Sequence, residues 1–230
     1  MPSKYRSSSR SKKGRRSSRF LNREDEFHWS DYAGTLGLAT ALTIIYAVGS
    51  VVFGFTWFVK SPDEVVYYFG MNNYLVIARW EWYRILSSAF VHAHLFHLAG
   101  NLLFLVVFGL RLEELKGIRW LYLTFLASAL GGNLLTLAFF WDNPNLWSLG
   151  ASGGVQGLFS ANIILLRKQY SKGWLTVISL VVVFGVFTLA GPQTNAFAHL
   201  GGLVTGGLAA YALEKLEDRE IRIPEIGQLR

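Results

Sequence analysis

Six side chains carry the chemistry open to this sequence. Ser152 lies at the centre of Gly150-Ala151-Ser152-Gly153-Gly154, His199 lies in Ala198-His199-Leu200-Gly201-Gly202, and His92, His94, His97 and Asn101 cluster between them and the N-terminus. A serine hydroxyl is a weak nucleophile until a base such as imidazole stands within hydrogen-bond reach, and the chemistry it then performs is acyl transfer. Acyl transfer also needs donors for the oxyanion of the tetrahedral intermediate, each worth on the order of 3 kcal/mol in the transition state. His97 and Asn101, spaced i and i+4, project from one face of a helix and suit that role, together with the backbone N–H of Ser152 at a helix start. The chain has no cysteine, so a thiolate nucleophile and a cysteine metal site are excluded.

These residues sit in or beside long uncharged runs. Of the 230 residues 52% are hydrophobic and only 16% charged, a balance suited to a polytopic membrane protein rather than a soluble globule. A helix needs about 20 apolar residues to cross about 30 Å of hydrocarbon. Thr35–Val59, Phe90–Leu110, Trp120–Trp141 and Leu146–Leu166 each meet that requirement. Trp174–Leu213 divides at Gly191-Pro192-Gln193-Thr194-Asn195 into two further spans, the last beginning near Ala196. The expected fold is all-α, a six-helix membrane bundle over residues 35–213. It is flanked by a basic, disordered arm at 1–34 and a mixed-charge tail at 214–230.

The long first connection, residues 60–89, mixes charges with Tyr67, Tyr68, Phe69, Tyr74, Trp80, Trp82 and Tyr83, rings that favour a membrane surface. Six spans put both tails on one side, where nineteen lysines and arginines gather against three opposite, so both termini are expected to be cytoplasmic. The arm, rich in arginine and serine, reads as drawn to anionic lipid headgroups. A transit peptide would need an amphipathic face that the arm lacks, and nucleic acid binding would need a folded platform.

With that orientation the second, fourth and sixth spans all start on the outer face. His97 with Asn101, Ser152, and His199 therefore fall in one outer layer, and a serine–histidine dyad without an acidic third member is expected, since no Asp or Glu lies in any of these runs. Taken alone, each residue has a plainer use. Small-residue clusters and the Gly202–Gly206 spacing pack helices closely, and Asn101 can join two helices. Such a packing face would also bring the sixth helix against the fourth. Gly-x-Ser-x-Gly fits the nucleophile elbow of soluble hydrolases, but that motif follows a strand. His92, His94 and His97 could suit zinc, yet on one helix His92 and His94 diverge by about 200°. No metal or other cofactor is expected.

At these residues the chain resembles the rhomboid family of intramembrane serine proteases. The family's histidine, four residues, then His-x-x-x-Asn is met by His92, His97 and Asn101. Its Gly-x-Ser-Gly is met by Gly150–Gly153, and its Ala-His-x-x-Gly-x-x-x-Gly by Ala198, His199, Gly202 and Gly206; Tyr83 and Arg84 stand for its aromatic-arginine pair. The resemblance covers about residues 36–213. It implies Ser152 as nucleophile, His199 as general base and acid, and His97, Asn101 and the Ser152 amide as oxyanion donors. It also implies membrane-protein substrates cut near the outer interface, with no cofactor. From the spans and the charge placement the chain is expected to be a multi-pass protein of the cell membrane, with an organelle membrane as the alternative, and to meet lipid and no nucleic acid. Where the family usually has an aromatic residue stacking on the catalytic histidine, this chain has Gln156, whose amide is expected to hydrogen-bond His199 instead. The alternative is a non-catalytic rhomboid-like protein that binds membrane clients; relatives of that class lack the serine or histidine, and both are present here.

Overall fold

The computed structural model describes residues 29–53, 61–166, 185 and 195–227, with side chains up to Leu216. Asp31–Arg230 form one compact unit, distinct from Met1–Ser30. A 3-10 turn at Trp29–Tyr32 leads into α1 (Ala33–Phe53). The first connection folds into α2 (Asp63–Phe69), β1 (Met71–Asn72), α3 (Asn73–Ala78) and α4 (Arg84–Ser87), followed by a 3-10 turn at Ser88–Phe90. Then come α5 (Leu95–Lys116), α6 (Ile118–Phe139), β2 (Trp147–Ser148), α7 (Ser152–Leu166) and α8 (Ala196–Gly227).

Four described helices are long and apolar enough to cross a membrane: Ser30–Phe53, Leu95–Lys116, Ile118–Phe139 and Ala196–Leu216. The expected fifth span, from Trp174, lies outside the described residues. Polarity is distributed as lipid demands. Thr124, Ser128, Asn133, Thr136, Gln156 and Asn162 are buried, while Ile44, Val48, Val52, Leu103, Leu123, Val204 and Leu208 are exposed. The protein is an integral membrane protein.

α7 is the centre of the bundle, packed against α5, α6 and α8. Leu98, Leu105, Leu121, Phe125, Val155 and Leu158 fill the core around it. Its contact with α8 depends on glycine: a Cβ on Gly202 would overlap the carbonyl oxygen of Gly153, and one on Gly206 that of Gly157. Bare backbones can therefore approach as side chains would forbid. At 15 residues α7 rises only about 22 Å. Its first residue therefore stays below one edge of an about 30 Å hydrocarbon layer when its last reaches the other.

Three sequence expectations need correction. The second span begins at Leu95 rather than Phe90, because Val91 is extended and His94 adopts the β conformation of a helix cap. His92 and His94 thus precede the helix, and the angle they would have made on it does not apply. The same helix runs on to Lys116 and so includes an acid, Glu113, only 6% exposed. Its carboxylate accepts from Gly34 N at 2.8 Å and from Thr35 N and Oγ1, both at 2.7 Å. The two backbone N–H groups are donors that the start of α1 leaves without intrahelical partners, so the buried carboxylate is satisfied. The fourth expected span also begins late, at Ser152 rather than Leu146, and Trp147–Ser148 before it form a strand. Met71 pairs with Ser148 and Asn72 with Trp147 in an antiparallel two-residue ladder that ties the first connection to the approach to Ser152.

Candidate active site

Ser152 is the first residue of α7 and His199 lies in the first turn of α8. His199 Nε2 stands 2.8 Å from Ser152 Oγ, a hydrogen bond between residues 47 apart in sequence. Both side chains are half-buried. The other ring nitrogen, His199 Nδ1, is buried and has no hydrogen-bond partner among the described residues. With Nδ1 unpartnered and Nε2 on Ser152, the expected bond from Gln156 to His199 is not formed. Gln156 is buried on α7 one helical turn below Ser152, whereas the ring engages α7 through Nε2 at the serine itself.

The turn before Ser152 is held from several sides. Gly150 N donates to Ser88 O at 2.9 Å, and Ala151 N donates to His92 Nε2 at 3.3 Å. Gly150 has φ +117°, a conformation that L side chains rarely adopt, and it also has no space for one. A Cβ there would lie 2.6 Å from His97 Cε1, 2.7 Å from His97 Nε2 and 3.8 Å from Asn101 Nδ2. The imidazole of His97 and the amide of Asn101 thus both border the Ser152 turn. Asn101 Nδ2 donates one hydrogen to His97 O at 3.0 Å, and an amide nitrogen carries two. One donor from Asn101, the His97 ring and the unpaired N–H groups at the start of α7 can converge on a small negative oxygen beside Ser152.

Behind this layer lies a polar network that sequence reasoning did not single out. Asn195 caps α8, its Oδ1 accepting from Ala198 N at 3.1 Å, and its Nδ2 donates to Thr136 Oγ1 and Ser148 Oγ, both at 3.0 Å. Ser148 Oγ donates to Asn133 Oδ1 at 3.4 Å, and Asn133 Nδ2 donates to Ile85 O at 2.8 Å and Ser88 Oγ at 2.9 Å. The helix carrying His199, the approach to Ser152 and the first connection are thereby linked. An asparagine immediately before an apolar helix is a cap signal, and it was the clue available for Asn195.

Arg84 reaches none of these groups directly. Only 2% exposed, it donates to Tyr67 O at 2.6 Å and Gly70 O at 2.8 Å, pairs with Glu81 at 2.5 Å and lies 5.3 Å from the Tyr83 ring centre. It braces the segment leading into β1. His92 ties the Ser152 turn to the first connection: its ring accepts from Ala151, and its carbonyl accepts from Ser61 Oγ. Among the described residues no three His, Asp or Glu side chains are gathered to hold a metal. His92 Nε2 and His94 Nδ1 are instead engaged with backbone N–H groups.

Residues 79–215, more than half of the chain, match the family model described as a Rhomboid domain. RHOMBOID-like protein 4 of Arabidopsis thaliana is 32% identical over 146 residues, 63% of this chain and 37% of that protein. Rhomboid-like protease 1 of Toxoplasma gondii is 29% identical over 203 residues, 85% of this chain and 64% of that one. Rhomboid protease GluP of Bacillus subtilis (strain 168) is 30% identical over 158 residues, 67% of this chain and 30% of the relative. The chain spans less than two thirds of the length of each of these relatives. The helical membrane bundle, the glycine-packed centre and the match across residues 79–215 lead to one assignment: this chain belongs to the rhomboid family.

Proposed function

We propose that the chain is an intramembrane serine endopeptidase that cuts membrane-protein substrates near the extracytoplasmic interface. The observation that carries this reading is the 2.8 Å approach of His199 Nε2 to Ser152 Oγ. Two relatives, from Toxoplasma gondii and Bacillus subtilis, are named as proteases, which supports it.

In the proposed cycle His199 Nε2 takes the Ser152 hydroxyl proton as Oγ bonds to the substrate carbonyl carbon. The resulting oxyanion is met by the Ser152 backbone N–H, the His97 ring and the free Asn101 hydrogen. His199 then passes its proton to the departing amine, leaving an acyl-enzyme. Water, deprotonated by the same nitrogen, attacks the ester and frees Ser152. The machinery sits on three helix starts, so water and substrate enter from the outer face. A carbonyl inside an intact substrate helix is already hydrogen-bonded, so cutting favours sites that glycine or proline loosens.

The same reading includes six spans over residues 35–213, cytoplasmic arms at 1–34 and 214–230, and residence in the cell membrane. Lysine and arginine placement in the sequence supports that orientation. The test is co-reconstitution of the full chain with a single-span substrate in lipid vesicles. Wild type should release two fragments, faster when the cut site carries glycine or proline, and Ser152→Ala should release none. Cleavage that survives in Ser152→Ala would overturn the assignment.

A further inference from the structure

His94 occupies a position usually held by serine, threonine, aspartate or asparagine, the cap of a helix. It has β-region dihedrals of φ −164° and ψ 165°, and its Nδ1 accepts from His97 N at 3.0 Å. His97 is one of the two residues through which α5 borders the Ser152 turn, its ring lying against Gly150. Its carbonyl in turn holds the Asn101 amide. The backbone that presents both expected oxyanion side chains is therefore fastened at one end by an imidazole acceptor.

The usual caps cannot do what an imidazole can. Serine and asparagine keep their acceptor oxygen at every physiological pH, whereas histidine changes charge between about pH 5 and pH 8. A protonated ring carries hydrogen on both nitrogens, so Nδ1 would face the His97 N–H donor to donor. It would also place a positive charge at the positive end of the α5 dipole. Both effects act in the same direction and open the first turn.

We infer that His94 is a positioning residue that makes the oxyanion side of the site sensitive to pH: its unprotonated Nδ1 fixes the first turn of α5, and proton uptake releases it. This rests on the proposed protease reading and adds a regulatory contact to it. The histidines facing it are His97, with ring centres 5.8 Å apart, and His92, whose ring lies 5.1 Å from that of His97. The neighbouring segment docks through Ser61 N on Ala93 O at 2.7 Å, and α2 beyond it opens with exposed Asp63 and Glu64. His94 itself is exposed, so protons reach it from solvent.

The test measures kcat/KM of the full-length protein on a single-span substrate from about pH 5 to about pH 8, comparing wild type with His94→Ser, His94→Asn and His94→Ala. Serine and asparagine keep a cap at all pH values and alanine at none. At the alkaline end the serine and asparagine variants should match wild type, and alanine should fall about fivefold below it. At the acid end alanine should equal or exceed wild type, while serine and asparagine exceed it by at least about fivefold. Ratios to wild type that stay flat across the range, with wild type active, would overturn this inference alone. A wild type inert at every pH would overturn the protease reading and this inference with it.

Discussion

Gly202 on α8 lies against the carbonyl oxygen of Gly153 on α7, so close that a methyl group on Gly202 would overlap that oxygen. Gly153 follows Ser152 directly and Gly202 is three residues past His199, so this backbone contact sets how near the hydroxyl and the imidazole come. Overpacking such a contact costs about 1–3 kcal/mol, and a displacement of about 1 Å at a reacting pair costs roughly a hundredfold in rate. Gly202→Ala should therefore cut substrate at least about tenfold more slowly than wild type. Gly207, where an added Cβ would meet nothing nearer than 3.9 Å, is the control. Gly207→Ala should keep full activity and gain slightly in thermal midpoint, because alanine is the better helix former.

Glu113 joins two helices whose contacting residues are 78 and 79 positions apart. Removing a carboxylate that satisfies three donors leaves those donors buried, at about 1–3 kcal/mol for each group that cannot find water. Glu113→Ala should lower the thermal midpoint of the purified protein clearly, and Glu113→Gln, which keeps one acceptor oxygen, should lower it less. At temperatures where both variants remain folded, the rate of substrate cleavage should stay close to that of wild type. An alanine variant as heat-stable as wild type would show that the capped start of α1 contributes nothing to stability.

Asn195 is expected to act on His199 by anchoring the start of α8. Asn195→Ala removes the cap and two further hydrogen bonds, and cleavage should fall about tenfold or more. Asn195→Ser restores a cap without reaching both Thr136 and Ser148, so its rate should lie between alanine and wild type. Steady-state kinetics on the three proteins decides the matter, and equal rates for alanine and wild type would remove Asn195 from the positioning network.

The parts legible in the sequence are those set by hydropathy. The absence of charge marks where a helix can cross lipid, which fixes depth, and depth alone puts Ser152, His97, Asn101 and His199 in one layer. The glycines at 153, 202 and 206 were readable as a close-packing face because small residues in apolar helices have few other uses. Local pattern does not carry distant pairings. Nothing near Glu113 announces that its partners are Gly34 and Thr35, and the ladder of Met71–Asn72 with Trp147–Ser148 is too short for any alternation to show. The start of α5 is not legible because a histidine cap is outside the usual set of capping residues, and the uncharged run extends back to Phe90. Gln156 was expected on His199 from its spacing along α7 alone, and spacing cannot tell which ring nitrogen faces which helix.

The central claim is that Ser152 is a nucleophile activated by His199, and reaction of the purified full-length protein with a fluorophosphonate tests it most directly. Wild type should be labelled at Ser152 alone, Ser152→Ala should not be labelled, and His199→Ala should react at least about a hundredfold more slowly. A wild type that stays unlabelled while folded, or a label that persists in Ser152→Ala, would contradict the account.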